Sequence, residues 1–475
     1  LLFQEGVFLI KESKGIVKNP DGTMRALSNR HVQLIAIGGT IGTGLFLGSG
    51  STISKTGPSI LVVYCVLGLF FFFMMRAIGE MFFSDPSQHT FVSFISKYLG
   101  NGAGKFAGIT YWVGLVFVGM AELTAIATYV QYWLPGVPAW LIEVIFLVVL
   151  TSVNLIAARL FGEAEFWFAM IKIVAIISMI IVGVYMALVA FKTPMGTSSF
   201  GNLSHNFQMF PKGSINFISA FPMVFFAFQG IEFVSITIGE AKSPQVIIKK
   251  AVNETLLRIL IFYLGALIVI MSIIPWKSIT PDQSPFVEVF KLAGLPAAAA
   301  VINFVVLTSA SSALNSVIFS AGRHLYQIAE EASATSMIKK KLGVISKNGV
   351  PAIAILFSAG LVFITPILSL SHGLVASFNI VTAISSDMYL VVYTMTMLAH
   401  RKYRVSNDFL DNGFKMPGYS ITSPLTILFF LAIFISLFFV PGDSVGAIGA
   451  IIWTLVFGGW CYLSDKRSLV KNSNS

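Results

Sequence analysis

The sequence predicts an all-α integral membrane protein with twelve transmembrane helices, and three observations predict it. Of its 475 residues, 56% are hydrophobic and only 11% charged, against roughly 45–50% and 25% in soluble domains. Apolar runs long enough to cross a hydrocarbon core of about 30 Å, about 20 residues each, recur twelve times. The polar connections between them, such as Lys242-Ser-Pro-Gln, Lys339-Lys-Lys and Arg401-Lys-Tyr-Arg, are too short to form a soluble domain. This composition excludes a soluble globular enzyme.

In order, the candidate spans fall at about 32–55, 59–83, 106–133, 139–158, 166–190, 214–239, 258–276, 297–322, 352–370, 374–399, 421–441 and 444–464. One membrane domain is the simplest account. It divides into an N-terminal tail (1–31), a ten-helix core (32–400), two accessory helices (401–464) and a C-terminal tail (465–475). The N-terminus carries no basic segment followed by a cleavable apolar one, so insertion is expected to rely on the first span.

The net charge of +10 needs separating from the footprint of a nucleic-acid binder, and position along the chain does so. With the N-terminus cytoplasmic, 25 of the 31 Lys and Arg fall on inner tails and loops. Five (Lys55, Lys192, Lys212, Lys277 and Lys291) fall outside, and Lys172 alone remains within a span. Cytoplasmic loops retain positive charge, so both termini are expected inside and nucleic acid is not needed to explain the basic balance. Cys65 and Cys461 lie far apart inside apolar runs, which leaves no disulfide framework and no cysteine metal spacing. The six histidines are scattered near span ends without an HExxH pattern, so no metal site is expected.

The first and sixth spans are not uniformly apolar. The first carries Gly38-Gly39-Thr40-Ile41-Gly42-Thr43-Gly44 at its centre, and the sixth carries Phe228-Gln229-Gly230-Ile231-Glu232. Each glycine costs a helix about 1 kcal/mol relative to alanine, so these stretches mark places where a helix unwinds. Unwound backbone at membrane depth is tolerated only where it is buried or lines a cavity. Interruptions in spans one and six occupy corresponding positions of two five-helix halves, the pointer to an inverted-repeat transporter. The same glycines would also permit close helix packing, the plainer alternative. Gly42, Gly44 and Gly48 do not make a dinucleotide fingerprint, because no strand precedes them, and Gly104-Lys105 lacks the spacing of a phosphate-binding loop.

A zwitterion such as a free amino acid must have both charges desolvated to bind at the midplane, and broken helices meet this need with backbone. The half-helix starting near Thr43 and Gly44 offers N–H groups and a positive dipole end to a carboxylate. Carbonyls near Thr40 and from Phe226 to Gln229 suit an ammonium. Gly42 and Gly230 are expected to let the ligand reach the backbone. Ionisable groups inside spans default to functional hypotheses. Lys172, two turns into span five, could release a proton and so couple transport to a proton gradient, or could tie helices together through carbonyls. Glu122 in span three and Glu232 at the second break could shuttle a proton or neutralise Lys172. Asp387 in span ten could touch substrate or make a structural hydrogen bond. Arg76, Glu80, Glu240 and Arg323 sit near span ends, where snorkelling and loop pairing explain them.

Three segments carry a resemblance: residues 28–46, Ser-Asn-Arg-His-Val-Gln-Leu-Ile-Ala-Ile-Gly-Gly-Thr-Ile-Gly-Thr-Gly-Leu-Phe; residues 161–172, Phe-Gly-Glu-Ala-Glu-Phe-Trp-Phe-Ala-Met-Ile-Lys; and Phe228-Gln-Gly-Ile-Glu with Gly239-Glu-Ala-Lys-Ser-Pro. From about 25 to 465 the chain resembles the amino acid transporter family of the amino acid–polyamine–organocation superfamily. The resemblance implies a LeuT-type fold, a 5+5 inverted repeat with broken helices 1 and 6, and amino acid:proton symport across a bacterial plasma membrane. It implies that Thr43 and Gly44 bind the substrate carboxylate, that the carbonyls of Thr40, Phe226 and Gln229 bind the ammonium, and that the Phe226 ring is a gate. It also implies that Lys172 takes part in coupling and Glu232 in binding or protonation.

Gly119-Met-Ala-Glu, Met271-Ser-Ile-Ile-Pro-Trp, Ser284-Pro-Phe-Val-Glu and the run from Gly294 to Ala313 most resemble the D-serine/D-alanine/glycine and L-serine/alanine permease branch. The expected cargo is therefore a small neutral amino acid (serine, alanine or glycine), with the proton as coupling ion and no cofactor. The expected partners are the substrate and the lipid bilayer, with no protein partner required. A permease for aromatic or cationic amino acids or GABA, an amino acid exchanger, and a non-transporting sensor are the alternatives.

Overall fold

A computed structural model describes residues 40–88, 90–156, 158–205, 207–233, 244–331, 336–439 and 444–473. The order of its principal helices is α1 (Thr43–Phe46), α2 (Gly48–Thr56), α3 (Ile60–Ser84), α4 (Phe91–Leu99), α5 (Asn101–Gln131), α6 (Ala139–Ile156), α7 (Ala158–Leu188), α8 (Phe221–Phe228) and α9 (Pro244–Ile273). It continues with α10 (Pro285–Leu292), α11 (Pro296–Glu330), α12 (Ala352–Val362), α13 (Thr365–His372), α14 (Leu374–Arg404), α15 (Tyr419–Ser436), α16 (Ser444–Trp453) and α17 (Gly459–Ser473). A two-residue hairpin pairs Lys192 with Thr197 and Thr193 with Gly196 in the connection after α7.

The described residues contain ten helical stretches long and apolar enough to cross a membrane. The difference from twelve lies at the first and sixth candidate spans. Residues 214–228 form only a short apolar helical stretch, and the first span is divided among Thr40, α1 and α2, with Gly38 and Gly39 outside the described residues. The stretch Gly48–Ser84 is helical over 37 residues, about 55 Å at 1.5 Å per residue, too long for one crossing. It turns at Gly57, whose φ of +57° a residue with a side chain rarely adopts. Pro58 then opens the next helix, where its missing N–H costs nothing.

Helix α5 is the centre of the bundle. Both α11 and α14 pack along it, and α9 packs against α3 and α7. The apolar part of α5 is 78% buried, whereas that of Ser444–Lys466 is 17% buried, so this last stretch lies at the periphery. Lipid is as apolar as leucine, so close packing and polar bonds between helices must hold such a bundle together. Buried tyrosines supply some of them: the hydroxyls of Tyr111 and Tyr393 donate to Glu232, and that of Tyr263 to the Thr40 and Ala227 carbonyls.

One end of the bundle is fastened by the connection between α14 and α15. The buried Glu80 carboxylate accepts from His400 Nε2 at 3.1 Å and from the Met416 amide at 2.7 Å, and pairs with Arg404. Arg76 donates to Asn253 and to the Lys415 carbonyl and lies over the Phe414 ring. These two residues therefore have the structural partners expected of them, while Glu240 lies outside the described residues.

Candidate functional site

The two glycine-bearing segments do interrupt their helices, and they do so side by side. After Thr40 the chain bends through Ile41 and Gly42, with Gly42 extended (φ −124°, ψ −156°) before α1 begins. In the other segment α8 stops at Phe228, Gln229 is extended (ψ 145°), and Gly230 takes φ +94°. α1 and α8 touch so closely that a Cβ on Gly44 would lie 2.6 Å from the Cα of Ala227. Gly44 thus serves helix packing as well as the site.

The backbone groups released at the breaks find partners from other helices. The Tyr263 hydroxyl lies 3.1 Å from the Thr40 carbonyl and 2.8 Å from that of Ala227, so one donor on α9 is shared between both interruptions. Ser309 on α11 donates to the Ile41 carbonyl at 3.1 Å. The Phe226 carbonyl accepts the Gln229 N–H at 3.1 Å. The carbonyls of Thr40 and Phe226 are therefore engaged rather than free.

A narrow cavity lies between the breaks, with about 20 Å³ open to the centre of a water-sized sphere, room for about one water molecule. Thr40, Gly42, Gly44, Phe226, Gln229 and Gly230 line it together with Glu122. Thr43 is not on its wall. The Thr43 amide instead donates to Glu122 Oε1 at 3.3 Å, so the anion position at the start of α1 is held by a carboxylate of the protein itself. Glu122 Oε2 is buried with no hydrogen-bond donor among the described residues. Lys172 is fully buried on α7, close enough to Glu122 for their charges to interact.

Glu232 is fully buried beside the second break but off the cavity wall. Its Oε2 accepts the Gly230 N–H at 3.0 Å and the Tyr393 hydroxyl at 2.7 Å, and its Oε1 accepts the Tyr111 hydroxyl at 3.0 Å. This carboxylate ties α5 and α14 to the interruption and satisfies one of its exposed amides. The Gln229 side chain is held in the same way, accepting from Ser385 at 2.8 Å. Asp387 faces elsewhere: a Cβ on Gly446 of α16 would lie 2.7 Å from its Oδ2, which places it against the accessory helices and off the cavity wall.

The Phe226 ring packs edge-on to Phe378 at 6.1 Å between centroids. Phe378 in turn lines a second cavity with Leu47, Ser51, Thr128 and Asp282, so the ring pair stands between the two spaces.

The rest of the wall (Val118, Phe233, Ala313, Val317 and Tyr389) was not anticipated. Val118 with Glu122, and Ala313 with Val317, are i,i+4 pairs on single helix faces, but similar apolar pairs recur throughout the chain. Tyr263 and Ser309 were missed as well. Hydroxyls within spans were the available signal, since a buried hydroxyl must find a partner.

The family model described as Amino acid permease matches residues 31–473. The chain is 46% identical over 448 residues to the DL-alanine permease SerP2 of Lactococcus lactis subsp. cremoris (strain MG1363), covering 94% of this chain and 96% of that protein. It is 45% identical over 454 residues to the serine permease SerP1 of the same strain, covering 93% and 98%. It is 42% identical over 453 residues to the D-serine/D-alanine/glycine transporter of Escherichia coli (strain K12), covering 94% and 95%. The chain that brings the start of α1 and the end of α8 together around this cavity belongs to the amino acid permease family.

Proposed function

We propose that this permease imports small neutral amino acids, serine, alanine and glycine, by proton symport with alternating access. As a member of a transporter family it is a multi-pass membrane protein and not an enzyme. The observation that carries the reading is the Glu122 carboxylate on the Thr43 amide at the wall of the cavity. A substrate carboxylate seeking the N-terminal dipole of α1 competes with Glu122 for that donor. Once displaced, Glu122 is a buried carboxylate without its amide and needs another partner, which a proton or the nearby Lys172 supplies. Substrate binding and proton binding are thereby linked at one atom.

The ammonium is assigned to the carbonyls of Thr40, Phe226 and Gln229. Small substrates are supported by the names of the relatives. Phe226 with Phe378 is assigned as the gate toward the second cavity. The twelve-span LeuT-type arrangement is supported by the paired breaks. A ten-helix core over 32–400 with accessory helices over 401–464 is supported by the loosely packed last span. Residence in a bacterial plasma membrane with both termini cytoplasmic rests on the relatives and on the lysine and arginine bias.

The test is uptake of labelled L-serine into proteoliposomes with and without an inward proton gradient, competed by L- and D-amino acids. Gradient-dependent accumulation blocked by alanine, glycine or D-serine supports the proposal. Uptake that ignores the gradient and requires internal amino acid identifies an exchanger, and competition by aromatic or cationic residues alone assigns a different cargo.

A further inference from the structure

The segment joining α11 to α12 has an order that transport does not explain. Ser336 to Lys347 reads as an apolar pair, Met337 and Ile338, then Lys339-Lys340-Lys341, then a second apolar pair, Val344 and Ile345, and Lys347. Met337–Leu342 form a short helix whose N-cap Ser336 accepts from the Ile338 amide. Leu342 packs toward the core, which fixes the orientation of the segment. The apolar pairs then point away from the protein: Met337 is 65% exposed, Ile338 53%, Val344 47% and Ile345 39%.

The lysines are not equivalent. Lys339 is spent on Glu330, donating to its carbonyl at 2.8 Å and lying 3.6 Å from its carboxylate. Lys340, Lys341 and Lys347 are exposed. The segment also sits at a definite height. It begins where the long α11 ends, finishes just before α12, and is held at Asn348, whose side chain donates to the Leu155 carbonyl at the end of α6. That is the end of the bundle where α6 and α11 finish and α12 starts, and the lysine and arginine bias assigns this end to the cytoplasm.

We propose that Ser336–Lys347 is a docking surface for anionic phospholipid headgroups of the cytoplasmic leaflet. Met337, Ile338, Val344 and Ile345 enter the boundary between headgroups and acyl chains, and Lys340, Lys341 and Lys347 meet the phosphates. Apolar side chains alternating with lysines at a membrane edge are what an interfacial segment requires, and a basic cluster next to a span draws anionic lipid. An acidic protein partner would account for the lysines but would leave the two apolar pairs in water. The contact has a route to the substrate site, because Lys339 is bonded to Glu330 at the end of α11 and α11 runs unbroken from there to Ala313 and Val317 on the cavity wall.

The experiment is native mass spectrometry of the full chain in detergent, titrated with phosphatidylglycerol and, separately, phosphatidylcholine. Wild type is compared with Lys340→Gln/Lys341→Gln/Lys347→Gln, with the matching Lys→Arg triple, and with Met337→Gln/Ile338→Gln. Wild type and the Arg triple should prefer phosphatidylglycerol. The Gln triple should lose about tenfold of that preference, and the apolar double variant should bind both lipids more weakly. Equal preference in wild type and the Gln triple overturns the proposal. So does a wild-type chain that binds a polyglutamate peptide while showing no preference between lipids, which would assign the surface to an acidic protein. All substitutions are at exposed positions, and a matching melting temperature separates lost binding from lost folding. The lipid readout is independent of uptake, so its failure leaves the transport reading untouched.

Discussion

Glu122 Oε1 accepts the backbone N–H of Thr43 at 3.3 Å across 79 residues of sequence. The first free amide of α1, the donor best placed for a substrate carboxylate, is thus already occupied by a carboxylate from α5. A ligand that takes this donor must displace a group able to bind a proton, and the predictions below begin from that competition.

Glu122→Gln keeps the size of the side chain and removes its charge. Gradient-driven serine accumulation in proteoliposomes should fall at least about tenfold, the order expected when an acid–base group is removed. Exchange of internal for external serine should persist. Retained accumulation would take Glu122 out of the coupling scheme.

Lys172→Ala should abolish gradient-driven accumulation more than it weakens binding measured by substrate-induced thermal stabilisation. Lys172 is buried near Glu122 but does not line the cavity, so substrate contacts survive its removal. Unchanged accumulation would assign it to packing alone.

Gly44→Ala places a Cβ 2.6 Å from the Cα of Ala227, a backbone atom that cannot swing aside. Overpacking of this kind costs about 1–3 kcal/mol. The melting temperature in detergent and serine uptake should both fall. Gly136→Ala, where a Cβ meets nothing within 4 Å, should change neither.

Tyr393→Phe removes a 2.7 Å donor from the buried Glu232 carboxylate, which also caps Gly230. Leaving a buried acceptor short of a donor costs about 1–3 kcal/mol. The double variant Tyr393→Phe/Glu232→Gln should recover part of the lost melting temperature, because the amide needs less from its neighbours. A double variant no better than the single one would place the effect elsewhere.

Outside the spans, Asp85 predicts an acid-sensitive contact. Burial alone would raise its pKa, but hydrogen bonds from Ser87, Gln88 and Lys97, with the charge of Lys97, outweigh it and lower the carboxyl to about 2. Lys97 bridges this group to Asp408 at 3.0 Å, joining α4 to the connection after α14. A folded pKa below the unfolded value of about 3.9 means a stabilising contribution that is full above about pH 4. It is lost as pH falls through about 2. Asp85→Asn should lower the melting temperature at pH 6 and shrink the further drop between pH 4 and pH 2. An identical acid profile in wild type and variant would exclude the contact as a source of acid sensitivity.

The sequence by itself determined the class of molecule, ten of its spans and the two places where helices fail. Hydrocarbon length and the helical propensity of glycine are local constraints, written within single segments. It also named seven residues of the cavity wall, Glu122 as an ionisable group within a span and six because an interrupted span exposes its own backbone. Only the tertiary structure decided what meets that backbone. That Tyr263 serves both interruptions, that Glu122 takes the Thr43 amide, that Glu232 caps Gly230 from within a pair of tyrosines, and that Asp387 turns toward Gly446 are relations between helices far apart in the chain. Helix rotation and packing set them, and a 3.6-residue period in a uniformly apolar span carries no mark of which face will turn inward.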